Sequence, residues 1–212
     1  MIKSLIKILS VLVLTNITIS AQSKLYFFGS GGINYLPMKS FSSFLNQFPN
    51  NKTDDISYSG EVGFRFNFYT NHNVILSTGI INKNVLFGDG FGGAKWDITI
   101  LPISIGYNYS LGNEEENKLL TLLGLNLSYN FIQIDEKSYS DIGGDNPNAF
   151  YKMNKLSLEP NVILIYQFNK DFSLLSKLGY RYIEDVELWR QNLNFSGIIF
   201  NIGLQIKIFN AI

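Results

Sequence analysis

The 212-residue chain contains no cysteine. That excludes disulfides, thiol catalysis, cysteine-ligated zinc and a cysteine-linked lipid anchor. It has a single histidine, His72. Lys plus Arg equals Asp plus Glu at 17 each, so no net field draws in nucleic acid. Charged residues make up only 16% of the chain. No segment is apolar over the ~20 residues that a membrane helix needs. What is plentiful is aromatic side chain, at 15%.

The start of the chain carries Lys3 and Lys7, the apolar run Ile8 to Leu14, then Thr18-Ile19-Ser20-Ala21. A basic region, a short apolar core and a small residue at the end are the parts of a secretory signal peptide. Residues 1–21 are therefore expected to be removed, leaving 22–212 as one domain.

That domain is dominated by period-two alternation. Ser57-Tyr58-Ser59-Gly60-Glu61-Val62-Gly63-Phe64-Arg65-Phe66-Asn67-Phe68 is the clearest copy. Alternate side chains of a strand point to opposite faces, so one face is apolar and the other polar. Eight such segments are read, at 25–35, 57–69, 74–86, 96–109, 118–130, 155–168, 172–182 and 196–209. The connections at 70–73, 110–117 and 169–171 are short. Those at 36–56, 87–95, 131–154 and 183–195 are longer. Short turns on one side and long loops on the other are the asymmetry of outer-membrane barrels. The expected fold is an all-β, eight-stranded antiparallel up-and-down transmembrane β-barrel, with short periplasmic turns and long extracellular loops, in the cell outer membrane.

The direction of the alternation follows from glycine and charge. Gly63, Gly79, Gly106, Gly124, Gly179 and Gly203 share the polar face of their strands. A narrow eight-stranded lumen needs small residues to make room for long ones. Phe68, Phe168 and Phe172 fall at the short-turn ends of the apolar face, and Tyr58, Tyr180 and Tyr182 towards the long loops, as two interfacial girdles would. Turning strand 172–182 by one register would put Lys177 and Arg181 into lipid at roughly 2–4 kcal/mol each. The apolar face is thus expected to meet lipid, with outer-membrane lipid as the bulk partner.

Inside, Glu61, Arg65, Glu159, Lys177 and Arg181 are expected to form one connected ion-pair cluster that plugs the lumen, because charges in so dry a space must be paired. A tight turn at Lys170 sets Glu159 opposite Arg181, Val162 opposite Leu178 and Phe168 opposite Phe172. A turn centred on Asn71 sets Phe66 opposite Leu76 and Gly63 opposite Gly79.

Other candidate sites are weak. His72 lies in a predicted turn, away from any serine it could activate. Asp141-Ile142-Gly143-Gly144-Asp145-Asn146 departs from the calcium-loop spacing. Asp89-Gly90-Phe91-Gly92-Gly93 precedes no helix and so is no phosphate cradle. Glu114-Glu115-Glu116 reads as a charge run that keeps its turn in water, and Trp189-Arg190 as an interfacial anchor. Pro102 lacks a ladder donor and marks a strand irregularity. No catalytic, cofactor or metal residues emerge.

Ile98-Thr99-Ile100-Leu101-Pro102-Ile103-Ser104-Ile105-Gly106-Tyr107 resembles a strand of the PorT-like outer-membrane β-barrel family. Thr78-Gly79-Ile80, Leu123-Gly124-Leu125 and Asn201-Ile202-Gly203-Leu204-Gln205-Ile206-Lys207 resemble its other strands. The resemblance implies an outer-membrane location and carries no functional residue; one member class supports protein secretion. The expected role is non-enzymatic, structural or interactive, with another envelope protein as a partner through loops 36–56 and 131–154. The alternatives are a soluble exported lipocalin-like barrel that binds an apolar ligand, a narrow porin-like channel, a secretion accessory and a lipid-modifying enzyme.

Overall fold

The computed structural model describes residues 23–38, 52–53, 55–88, 92–114, 116–140, 148–188 and 191–210. The expected signal peptide, Trp189-Arg190, the 141–146 loop and most of 36–56 lie outside them. The main strands are β1 (Lys24–Tyr35), β3 (Ile56–Tyr69), β4 (His72–Gly88), β5 (Gly92–Ser110), β6 (Leu119–Ser140), β7 (Ala149–Gln167), β8 (Phe172–Ile183) and β11 (Gly197–Asn210). Three short strands complete the set: β2 (Lys52–Thr53), which pairs with the far end of β4, and the hairpin β9 (Val186–Leu188) with β10 (Gln191–Leu193).

Each main strand pairs antiparallel with its neighbours, and β1 pairs with both β3 and β11. The sheet therefore closes as an eight-stranded up-and-down barrel with no free edge, the arrangement a bilayer demands of strands. Turns 70–71, 111–118 and 168–171 sit at one end of the barrel with the start of β1 and the end of β11, and the longer connections sit at the other.

The β7–β8 register is Val162 opposite Leu178, flanked by Leu158–Tyr182, and the Phe168 amide donates to the Phe172 carbonyl at 3.0 Å. The β3–β4 hairpin departs from expectation. Phe66 faces Val74 and Gly63 faces Ser77, two residues from the predicted partners. The cause is a bulge between Asn67 and Tyr69, which shortens the turn to Thr70-Asn71. A shift of two keeps every side chain on its face. Pro102 produces no bulge. It keeps its place opposite Asn130, and the β4–β5 ladder is interrupted between Thr78–Ile103 and Ile81–Ile100 without a change of register.

Four strands run longer than the sequence predicts. β6 and β7 extend to Ser140 and from Ala149, so most of the expected loop 131–154 is paired sheet. β4 and β5 likewise occupy most of 87–95. The reason is a change of chemistry along continuous strands. On β5 the outward residues are Tyr109, Tyr107, Ile105, Ile103 and Leu101, then Thr99, Asp97 and Lys95; the inward ones are Ser110, Asn108, Gly106 and Ser104, then Ile100, Ile98 and Trp96. The same inversion occurs on β4, β6 and β7. It falls in a single ladder row: Ile81 faces Ile100, Ile100 faces Ile132, and Ile132 faces Met153.

Below this row the wall is apolar outside, as for a strand in lipid, and polar inside apart from one apolar cluster near the short turns. Above it the wall is mostly polar outside and mostly apolar inside, as for a sheet in water, with Lys83 and Glu136 as buried polar exceptions. On β6 the apolar outer stretch Leu119–Phe131 rises about 30 Å at ~3.3 Å per residue and a tilt of ~40°, close to the hydrocarbon thickness. The nine residues beyond it form a crown that stands about 20 Å clear.

Candidate functional site

The interior is filled at three levels. The floor, at the short-turn end, is built around Arg65 on β3, which is fully buried. Its Nη2 donates to Glu114 Oε1 at 2.6 Å, Nη1 to Asn73 Oδ1 at 2.8 Å and Nε to Gln205 Oε1 at 3.0 Å. The Tyr26 ring lies 4.0 Å beneath the guanidinium. Glu114 reaches in from the turn 111–118, where Asn67 Nδ2 donates to its other oxygen at 3.4 Å and Gln167 Nε2 to its carbonyl at 3.0 Å. Burial pushes the Glu114 carboxyl up, but the adjacent Arg65 charge and its hydrogen bonds outweigh that, and the net shift is downward. Glu114 is thus no solvated member of a charge run. A buried guanidinium needs a counter-charge, and this turn folds back to supply it. Beside the floor, Phe28, Ile75, Leu120, Leu122, Ile163, Ile165 and Leu175 form an apolar cluster.

The middle level holds Glu61, Glu159, Lys177 and Arg181. Lys177 Nζ donates to Glu61 Oε2 and contacts Glu159 Oε1 at 3.2 Å. Arg181 directs Nε at 2.9 Å and Nη2 at 2.6 Å onto Glu159 Oε2. Ser77 Oγ donates to Glu61 Oε1 at 2.8 Å and Asn201 Nδ2 to Oε2 at 3.2 Å. Four of the five residues expected in one cluster are therefore joined. Arg65 stands apart. It lies four residues down β3 from Glu61, about 13 Å along the strand, and Glu114 takes it into the floor instead. Glu114 was invisible as a lumen residue because it sits in a turn, where alternation says nothing about direction.

Glycine makes space at both the floor and the middle level. Gly106 faces Asn126 and Gly124 faces Asn108. A Cβ on Gly124 would come within 1.7 Å of Asn108 Oδ1, and one on Gly106 within 2.0 Å of Asn126 Oδ1. Two long amides thus lie flat over the opposite backbone. A cavity of about 10 Å3 remains between Glu61, Ser104, Arg181 and Asn201, room for roughly one water.

The top level is the crown's core. Ile81, Val85, Phe87, Trp96, Ile98, Ile100, Ile132 and Ile134 point inward, and Leu36 and Met38 enter from beyond β1. The β9–β10 hairpin covers it with Val186, Leu188 and Leu193. Phe87 meets Trp96 edge-on at 5.3 Å between ring centres. Ser196 Oγ pins the hairpin's base by accepting from the Ile183 amide at 3.0 Å and donating to its carbonyl at 3.2 Å.

His72 opens β4 at the short-turn rim. Its Nδ1 lies 2.6 Å from the Tyr107 hydroxyl, among Phe68, Tyr69 and Tyr109. It belongs to the aromatic girdle there. Among the described residues no group of three or more His, Asp or Glu is placed to hold a metal.

A closed eight-stranded barrel with an apolar outer belt, two aromatic girdles and a polar interior defines a transmembrane β-barrel of the outer-membrane class. No protein-family model matches the chain, and no curated protein matches it in sequence. Solved structures do. The fold is similar to a major outer membrane protein from Thermus thermophilus, with a TM-score of 0.63 and 11% identity over 88% of this chain and 99% of that one. It is similar to OprG from Pseudomonas aeruginosa, at 0.60 and 14% over 88% and 97%. Neisserial surface protein A gives 0.57 and 11% over 89% and 98%. At these identities the likeness is one of fold.

Proposed function

We propose that the chain is an exported, non-enzymatic and non-conducting outer-membrane barrel with a structural or interactive role. The observation that carries this reading is the filling of the lumen at three successive levels. An ion or solute would have to break the Arg65–Glu114 floor, the Glu61–Lys177–Glu159–Arg181 network and the apolar crown in turn. Residues 1–21 act as the export signal, and the similarity of strand 98–107 supports a place near the PorT-like barrels. The folded crown, together with the 36–56 connection, is the surface offered to another envelope protein. Planar-bilayer recording of the purified protein tests the reading. A silent bilayer at concentrations where a porin control conducts is expected, and stable conductance steps would overturn it.

A further inference from the structure

The outer wall of the crown is not uniform. On β5 and β6 the first polar row above the apolar belt is Thr99 and Gln133, continued on β7 by Lys152, which follows the outward Asn154 of the row below. The next is Asp97, Asp135 and Phe150. In the third, Lys95 faces Lys137 directly. Like charges directly opposite on one face of a sheet are destabilising, and here a single carboxylate serves both: Asp97 lies 3.0 Å from Lys95 Nζ and 3.3 Å from Lys137 Nζ. The two ammoniums stay open to the outside, with side chains 46% and 61% exposed. Asp135 takes the Gln133 amide at 3.4 Å. Phe150 is 49% exposed in the midst of these polar rows, and Lys152 Nζ lies 4.8 Å from the centre of its ring. Elsewhere on the rim the outward ends of β1, β8 and β11 carry Tyr35, Tyr182 and Ile198.

We propose that this face of β5–β7 binds the phosphorylated sugar headgroup of an outer-leaflet glycolipid. The face begins where the belt ends, so a lipid packed on Leu101, Phe131 and Leu156 brings its headgroup alongside it. Lys152 stands at the height of the first phosphate. Lys95 and Lys137, held side by side by Asp97, stand where a second phosphate or acidic sugar would follow. Phe150 offers a flat apolar ring to a sugar between them. Three ammoniums against two carboxylates leave the patch cationic, and each lysine near an anionic lipid surface contributes measurably to binding.

The test uses the full mature chain in detergent and native mass spectrometry of the lipid it retains. The probe is a diphosphorylated, multiply acylated glucosamine disaccharide. Its dephosphorylated form and phosphatidylglycerol are the comparators. Retention of the diphosphorylated probe about tenfold or more above both is expected, and Lys95→Gln/Lys137→Gln/Lys152→Gln should abolish that preference. Lys170→Gln, in a turn at the opposite end, should leave it unchanged. Phe150→Leu keeps every charge and should lower retention a few-fold, which decides the matter if the triple variant fails to fold. Equal retention of phosphatidylglycerol, an unaffected triple variant or an equal loss in Lys170→Gln would each overturn the proposal.

Discussion

The same four strands, β4 to β7, meet two solvents, and their two halves show how each is written in side chains. In the membrane half Leu125, Leu127 and Ile105 face outward while Asn126, Ser104 and Glu159 fill the lumen. In the crown Thr99, Asp97 and Lys137 face outward while Trp96, Ile98 and Ile134 fill the centre. The register does not change at the boundary, although the β4–β5 ladder is interrupted just below it. Parity is preserved through the row Ile81–Ile100–Ile132–Met153. Only the chemistry on each face is exchanged. The membrane half is filled by a buried polar network and one apolar cluster, and the crown mainly by apolar side chains.

The comparison breaks most visibly at the crown's centre. Trp96→Ala should cost about 3–5 kcal/mol. Because the lost contacts all lie above the inversion row, that loss should be local. Hydrogen exchange is expected to speed up in 92–100 and 132–140 and stay slow in 101–110 and 119–130. Uniform acceleration along β5 and β6 would show that the halves are one cooperative unit.

The corresponding blow to the membrane half is Glu159→Ala. It leaves Lys177 and Arg181 buried beside only Glu61, and breaking a buried pair this way costs about 3–5 kcal/mol. Urea unfolding followed by circular dichroism should show the drop, with exchange now fastest around Lys177 rather than Trp96. A loss under about 1 kcal/mol would mean that the network is hydrated enough to release its charges.

A smaller but sharper contrast uses one substitution at two heights. Leu125→Arg sets a cation on the lipid face and should cost about 2–4 kcal/mol. Thr99→Arg, also outward but above the row, should change stability by less than about 0.5 kcal/mol. Equal costs would place both residues in the same solvent and remove the boundary.

Much of the membrane half was legible in the sequence, since alternation, glycine parity and the charges sharing that parity all agree along Glu61–Phe68 and Leu174–Arg181. The crown was not. In Ile132-Gln133-Ile134-Asp135 the alternation persists, but the apolar residues occupy the parity that is polar a few residues earlier. A reading keyed to apolar-outward strands ends there and assigns a loop. Arg65 was placed correctly as an inward residue, yet its partner Glu114 comes from a turn, where no periodicity reveals direction. The bulge at Phe68 escaped for a related reason: two registers that differ by two residues bury the same faces.

Glu114 tests the floor, where the membrane half closes towards the short turns. Glu114→Gln removes a charge-assisted hydrogen bond to Arg65 and should cost about 1.5–3 kcal/mol at neutral pH. Its pH dependence has a definite sign. The folded-state pKa of Glu114 lies below that of an unfolded glutamate, near 4.3. The unfolded chain therefore takes up this proton first as the pH falls, and the contribution of Glu114 is present in full above that value. It fades as the pH drops through the lowered folded value. The stability difference between wild type and Glu114→Gln should therefore be flat from pH 8 to about 5 and shrink below about 4. A wild-type advantage that grew as the pH fell from 7 to 5 instead would mean a raised carboxyl, and hence a Glu114 buried without the guanidinium that holds it in the floor.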